Sequence, residues 1–204
     1  SVFDIGAQTS TAINRLMQGV PAERSGPSEE SRNGNGSLMR VLPLVLWHQG
    51  PDDELAYLAA RQSLPTHGHP RSQVACAQYC LWARRLLEGQ SSPWDSAADA
   101  LRTMGAVFPV EEINLVLDES NRMRCGGSGY VLDCLWSARV AVETTGSYED
   151  CVRRAILFGH DTDTTAAVAG GIAGLIYGRE GIPSRWRKAL RGQELLLPLL
   201  NAIA

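Results

Sequence analysis

The residues with the most chemical content lie in Gly159-His160-Asp161-Thr162-Asp163-Thr164-Thr165, between an amphipathic stretch and a run of small apolar residues. Two carboxylates and a hydroxyl at i, i+2 and i+3 can converge from a turn onto one point. Hard divalent cations prefer such oxygen ligands. A helix opening here repels a cation through its dipole, so the carboxylates must outweigh that field while also capping free N–H groups. A plain N-cap needs only one aspartate. With Asp161, Asp163 and Thr164 together the reading is metal ligation, and the rest of the coordination shell has to come from elsewhere. The segment also matches the DxDxT nucleophile signature of haloacid-dehalogenase-type phosphatases. That signature belongs at a strand end early in an α/β domain, and the helical context here excludes it.

Three further segments carry possible chemistry. Asn33-Gly34-Asn35-Gly36-Ser37 is a glycine loop running into the apolar Leu38-Met39-Arg40. Glycines let backbone approach a ligand, and a helix start offers N–H donors to phosphate, although Asn-Gly is also ordinary turn chemistry. Arg40 either contacts an anion or pairs with a carboxylate. Thr66-His67-Gly68-His69-Pro70 places two histidines at i and i+2. Capping or bonding to a neighbouring helix is favoured there over metal ligation. Cys125-Gly126-Gly127-Ser128-Gly129-Tyr130 could hold a nucleotide against an aromatic ring, or could be a loop that needs glycine geometry with Tyr130 packing on a helix. No G-x-S-x-G elbow or Ser-His-Asp order supports a nucleophilic mechanism.

The elements that must position these residues read as helices. Periodic apolar spacing predicts helices over Asp4–Leu16 (Ile5, Ala12, Ile13 and Leu16 on one side), Leu38–Trp47 (buried), Pro51–Leu64, Pro70–Leu87, Trp94–Met104, Val110–Asn121, Tyr130–Glu143, Ser147–Phe158 and Thr165–Tyr177. Ser147 and Asp150 resemble a capping box. Ala166, Ala169, Gly170, Ala173 and Gly174 permit close helix contact, and the apolar Leu195–Ile203 is expected to dock on the body. Residues 21–36 read as a polar loop. His48 and the five tryptophans are expected in the core or at its boundary. Nothing resembles alternating strands, internal repeats or a linker. The expected fold class is all-α, one domain over residues 1–204.

Composition narrows the function classes. With 19 Lys+Arg against 22 Asp+Glu, the formal charge is −3, which gives no footprint for nucleic-acid binding. No apolar run approaches the roughly 20 residues that cross a bilayer, and Ser1–Gly6 lacks a signal-peptide layout. Cys76, Cys80, Cys125, Cys134 and Cys151 include no CxxC pair, so buried free thiols in a cytoplasmic protein are expected.

Taken in order, these segments resemble the ADP-ribosylglycohydrolase family, which includes dinitrogenase-reductase-activating glycohydrolases, ADP-ribosyl-arginine and ADP-ribosyl-serine hydrolases and J1 crystallins. Asp4-Ile5-Gly6 with Thr9 resembles its D-[IV]-G-x-T-T element, and Asn35 to Pro43 its N-G-[SA]-[LA]-M-R-x-x-P element. Thr66-His67, Gly129-Tyr130-Val131 and Gly159 to Ala166 resemble three more, the last being the signature G-x-D-T-D-T-x-A. The resemblance implies a compact orthogonal helical domain that hydrolyses the glycosidic bond between ADP-ribose and a protein side chain or related acceptor. It implies Mg²⁺ or Mn²⁺, two ions in the complete family site, with Asp161, Asp163 and Thr164 as ligands. Asp4, Asp161 and Asp163 would be catalytic. Asn33, Gly34, Asn35, Gly36 and Ser37 would cradle the diphosphate, His67 would touch phosphate or ribose, and Gly129 and Tyr130 would lie by the nucleotide. Relatives carry a T-D-D-[ST] element well before the D-I-G element, which here stands at residue 4. The expectation is therefore a chain lacking the N-terminal half-site. Its alternative role is a catalytically incomplete ADP-ribose-binding or crystallin-like structural protein.

Overall fold

A computed structural model describes residues 5–203, and every regular element in that range is helical. The helices are α1 (Ala7–Met17), α2 (Ala22–Ser25), α3 (Pro43–Trp47), α4 (Asp52–Ser63), α5 (Pro70–Leu87), α6 (Pro93–Arg102), α7 (Val110–Leu117), α8 (Val131–Glu143), α9 (Tyr148–Ile156), α10 (Thr162–Gly181), α11 (Ser184–Ala189) and α12 (Gln193–Ile203).

The centre is α5. Pro70 occupies its first turn, where a missing N–H costs nothing, and the His69 ring accepts a hydrogen bond from the Arg71 N–H at 3.1 Å. Every residue from Val74 to Ala83 is buried. A helix buried on all sides needs small residues where neighbours press close, and Ala75, Cys76, Ala77, Cys80 and Ala83 supply them. Around it pack α4, α6, α7, α8 and α10. An edge-to-face aromatic chain runs from Tyr79 through Trp82 and Trp94 to Trp136, with centroid separations of 6.2, 5.2 and 5.2 Å. The buried polar tips find partners. Tyr79 donates to the Val168 carbonyl at 2.8 Å, and the Trp136 indole donates to the Val116 carbonyl at 2.9 Å.

Helix α10 begins at Thr162, earlier than expected, and its small-residue face is buried at Ala169, Gly170 and Ala173. A Cβ on Gly171 would stand 2.7 Å from Leu42 Cδ2 and 2.8 Å from the Tyr79 hydroxyl. The close approach of α10 to α5 therefore depends on that glycine. Ser147 caps α9 by accepting from the Asp150 N–H at 3.1 Å, as the capping pattern implied.

Several expectations fail, among them the single polar loop over 21–36, which holds the short helix α2. Leu38–Trp47 is not one buried helix: a 3-10 turn (Leu38–Arg40) precedes α3, because Pro43 has no N–H to donate and its ring crowds the turn before it. Val41 and Val45 are buried, but Trp47 is 72% exposed and so is neither core nor boundary. Of the four residues expected on one side of the first helix only Ala12 is buried; Ile13 and Leu16 on α1 are exposed, as is Ile5, which precedes α1. On α12 the leucines at 195, 197 and 199 point to solvent instead of docking. All five cysteines are free, as expected, and all but the half-buried Cys125 are buried. No helix among the described residues is long and apolar enough to cross a membrane.

Candidate functional site

A cleft of about 530 Å³ opens where three loops and the start of α10 meet. Gly34, Asn35 and Gly36 line one wall, Gly129 and the Asp161–Thr164 segment the other, and His67 lines it as well.

Backbone pairing holds the walls together. Gly34 and Tyr130 form an isolated antiparallel bridge. The Asn35 N–H donates to Gly129 O at 2.9 Å, and the Val131 N–H donates to Asn33 O at 2.9 Å. Behind them, Asp133 on α8 accepts from the Gly126, Gly127 and Ser128 N–H groups at 2.7, 3.1 and 2.9 Å. The Ser137 hydroxyl adds a fourth donor at 3.0 Å. Burial opposes ionisation of Asp133, yet these donors hold its carboxyl below the usual range. The loop they shape passes to α10 through Gly127 O, which accepts from the Asp161 N–H at 2.9 Å. Gly127 needs its hydrogen side chain, because φ is +66° and a Cβ would lie 2.7 Å from Phe158 Cβ.

The turn into α10 is strained. Gly159 (φ +84°) is followed by His160 at φ 56°, the left-handed region that a side chain disfavours by about 1 kcal/mol. That turn sets Asp161 at the N-cap position of α10, with Asp163 and Thr164 in its first turn. The Asn35 side chain donates from Nδ2 to Asp161 Oδ2 at 2.7 Å. Burial again opposes the charge on Asp161, but hydrogen bonds from Asn35 and Thr164 lead the contacts that hold its carboxyl below the ordinary aspartate range. Asp163 is exposed to the cleft.

His67 follows α4. Its N–H donates to Ser63 O at 2.8 Å, and its ring Nδ1 pairs with the Thr66 hydroxyl at 2.8 Å. Gly36 lies over the ring, where a Cβ would approach Cε1 to 2.8 Å. Burial, with a smaller push from the Arg40 charge, lowers the His67 pKa to about 4, so the imidazole is neutral at pH 7. It offers the cleft a neutral hydrogen-bonding group. His69 instead caps α5, in line with the capping role expected for a histidine here.

The structure thus brings Gly34, Asn35, Gly36, His67, Gly129, Asp161, Asp163 and Thr164 to one cleft. It places three other expected residues elsewhere. The Asn33 side chain is buried behind its loop, donating to Glu30 O at 2.8 Å and accepting from the Ser72 hydroxyl at 3.0 Å. Ser37 is fully buried and accepts from the Ser63 hydroxyl at 2.9 Å. Tyr130 lies over the ridge, in a neighbouring depression with Glu30 and Arg71. Asp4 lies outside the described residues. Among the described residues Arg40 donates only to neutral groups, Gly36 O, Gln62 Oε1 and Gln62 O, at 3.2, 3.1 and 2.8 Å.

Gln8 and Arg32 also line the cleft, though no motif specifies them. Gln8 accepts from the Gly34 N–H at 2.9 Å and donates to Arg32 O, clamping the loop to α1. Arg32 is the one cation lining the cleft among the described residues. Only polarity within an expected loop marked Arg32, and Gln8 fell within an expected helix.

The donor chemistry at the mouth of α10 is hard oxygen. Among the described residues no group of three or more His, Cys, Asp or Glu gathers. Asp161, Asp163 and Thr164 are oxygen donors of the type a hard divalent cation takes, too few to complete its shell.

A family model described as ADP-ribosylglycohydrolase matches residues 1–204. The chain belongs to the ADP-ribosylglycohydrolase family. It is 31% identical over 202 residues to the ADP-ribosylarginine hydrolase Tri1 of Serratia proteamaculans (strain 568), covering 98% of this chain and 54% of that protein. It is 28% identical over 192 residues to the ADP-ribosyl-(dinitrogen reductase) glycohydrolase of Rhodospirillum rubrum, covering 92% of this chain and 60% of that protein. A solved structure of an ADP-ribosylglycohydrolase-related protein complex superposes with a TM-score of 0.79 at 31% identity, covering 97% of this chain and 68% of that one. The chain spans about half the length of the curated relatives it matches. Within the ADP-ribosylglycohydrolase family, the all-α architecture expected from periodicity is also the fold of this solved neighbour.

Proposed function

We propose that the chain binds ADP-ribose in the Asn35–Asp161 cleft and hydrolyses the glycosidic bond that joins it to a protein side chain. The observation carrying this reading is the convergence of Asn35, Gly36, His67, Asp161, Asp163 and Thr164 on one cavity of about 530 Å³, built from segments far apart in the chain. The Gly34–Gly36 backbone and the Arg32 cation suit a diphosphate, with His67 as a neutral partner to phosphate or ribose. In this reading the ribose lies beside Asp161 and Asp163, whose carboxylates would offset the positive charge that develops as the bond breaks. Asp161, Asp163 and Thr164 would hold Mg²⁺ or Mn²⁺, which supplies orientation of the ribose hydroxyls and a more acidic water. The relatives named above, hydrolases of ADP-ribosylarginine and of ADP-ribosyl-dinitrogen reductase, support an ADP-ribosylated protein as substrate. Five free thiols suit a reducing, cytoplasmic setting.

One observation favours a second reading. Asp161 and Asp163 are the only carboxylates lining the cleft among the described residues. Binding without turnover needs no more than these, as in a crystallin-like or ADP-ribose-binding member. Incubation with an ADP-ribosylated arginine peptide and Mg²⁺ separates the two. Release of ADP-ribose, lost in Asp161→Asn, supports hydrolysis. Binding of ADP-ribose without release supports the second reading, and absence of binding contradicts both.

A further inference from the structure

Arg71 sits where electrostatics alone would not put a cation. It occupies the first turn of α5, whose exposed N–H groups disfavour positive charge. Its side chain is 10% exposed, so it is also largely stripped of water. Glu112 on α7 answers the charge with a two-armed pair, Nε to Oε2 at 2.8 Å and Nη2 to Oε1 at 3.1 Å. A buried ion pair of this kind is seldom more stabilising than apolar side chains of the same shape. The value of Arg71 lies in the donors left over. Nη2 also reaches Glu30 Oε1 at 3.2 Å, and Nη1 reaches the Tyr130 hydroxyl at 3.3 Å.

Those two contacts fall on the two loops that form the cleft. Glu30 begins the Asn33 loop, and its carbonyl accepts from the Asn33 side chain at 2.8 Å. Tyr130 follows Gly129 and bridges to Gly34. Ser72, next to Arg71 on α5, donates to Asn33 Oδ1 at 3.0 Å. The start of α5 thus grips both walls from behind without touching the cleft.

We propose that Arg71 is a positioning residue whose guanidinium, anchored on Glu112, holds Glu30 and Tyr130 and so sets the register of the Asn33–Gly36 loop against the Gly129 turn. Its consequence for the ligand rests on the cleft being the ADP-ribose site; its structural content does not. Lysine carries the charge but has three donors and no planar fork, so it cannot make all four of these hydrogen bonds.

The test is amide hydrogen exchange without ligand, read at Asn35 N–H and Val131 N–H, the two bonds that cross between the loops, with core amides of α5 as reference. In Arg71→Met both should exchange at least about tenfold faster relative to the core, with Arg71→Lys intermediate. ADP-ribose affinity in Arg71→Met should fall about tenfold. Unchanged exchange, or acceleration in step with the core, overturns the proposal. Should Arg71→Met fail to fold, the Glu30→Gln/Tyr130→Phe double variant keeps the Arg71–Glu112 pair and must show the same selective acceleration; uniform protection there overturns the proposal. Wild-type protein that fails to bind ADP-ribose sinks the functional reading of the cleft and leaves the exchange result to decide the role of Arg71.

Discussion

Asn35 and Asp161 stand 126 positions apart in the chain, yet the Asn35 amide donates to the Asp161 carboxylate at 2.7 Å. This bond joins the glycine loop to the start of α10 and helps keep Asp161 ionised against the cost of burial. Asn35→Ala should raise the Asp161 pKa and weaken cation and ADP-ribose binding by about tenfold, or about 1.4 kcal/mol. Asn35→Asp should do worse, because it sets two carboxylates in contact. Carboxyl NMR titration and calorimetry check both. An Asp161 pKa unmoved by Asn35→Ala would show that the bond contributes nothing to the charge.

His67 gives a pH dependence with a definite sign. The unfolded chain binds a proton at this side chain near pH 6.5, whereas the folded chain does so only near pH 4. Between those values the unfolded state holds more protons, so stability falls as pH drops through that window and levels off below it. The full effect is about 3 kcal/mol. Urea denaturation of wild type and His67→Gln from pH 7 to pH 4 measures it, and the variant should show a shallower loss. Equal slopes would contradict a buried neutral imidazole.

Gly36 and His67 form one unit, since a Cβ on Gly36 would come within 2.8 Å of the ring. Gly36→Ala should displace the imidazole, destabilise the protein by about 1–3 kcal/mol and weaken ADP-ribose binding. Thermal unfolding and ligand titration, run together, check whether both losses occur.

Gly171 tests packing away from the cleft. Alanine there would press on Leu42 and on the Tyr79 hydroxyl, which already donates to Val168 O. Gly171→Ala should cost about 1–3 kcal/mol despite the better helix propensity of alanine. Added stability in chemical denaturation would show that α10 can move aside.

Much of this was legible beforehand. The bounds of α5 follow from Pro70 at one end and Gly89 past the other, both of which act through local backbone chemistry. The chemistry-bearing segments at 34–36, 67, 129 and 161–164 were readable by residue type, and the structure places them around one cleft. What escaped depends on long-range geometry. Periodicity reads α12 as a docking helix because it reports which residues are apolar, not whether a neighbour covers them; Leu195 is 71% exposed. Tyr130 is adjacent to Gly129, but extended backbone turns successive side chains to opposite faces, so its ring falls over the ridge. Asn33 and Ser37 looked like ligand contacts by type, yet each satisfies a buried hydrogen bond behind the loop. Gln8, Arg32 and Arg71 carry no motif at all, and only their partners in space reveal them.

The most direct measurement is an ADP-ribose titration followed by amide chemical shifts in the presence of Mg²⁺. Saturable shifts confined to Gly34, Asn35, Gly36, Gly129, Asp163 and Thr164 are expected, and they should vanish in Asp163→Asn. Shifts located elsewhere, or none at ligand concentrations of about 1 mM, would contradict the assignment of this cleft to ADP-ribose.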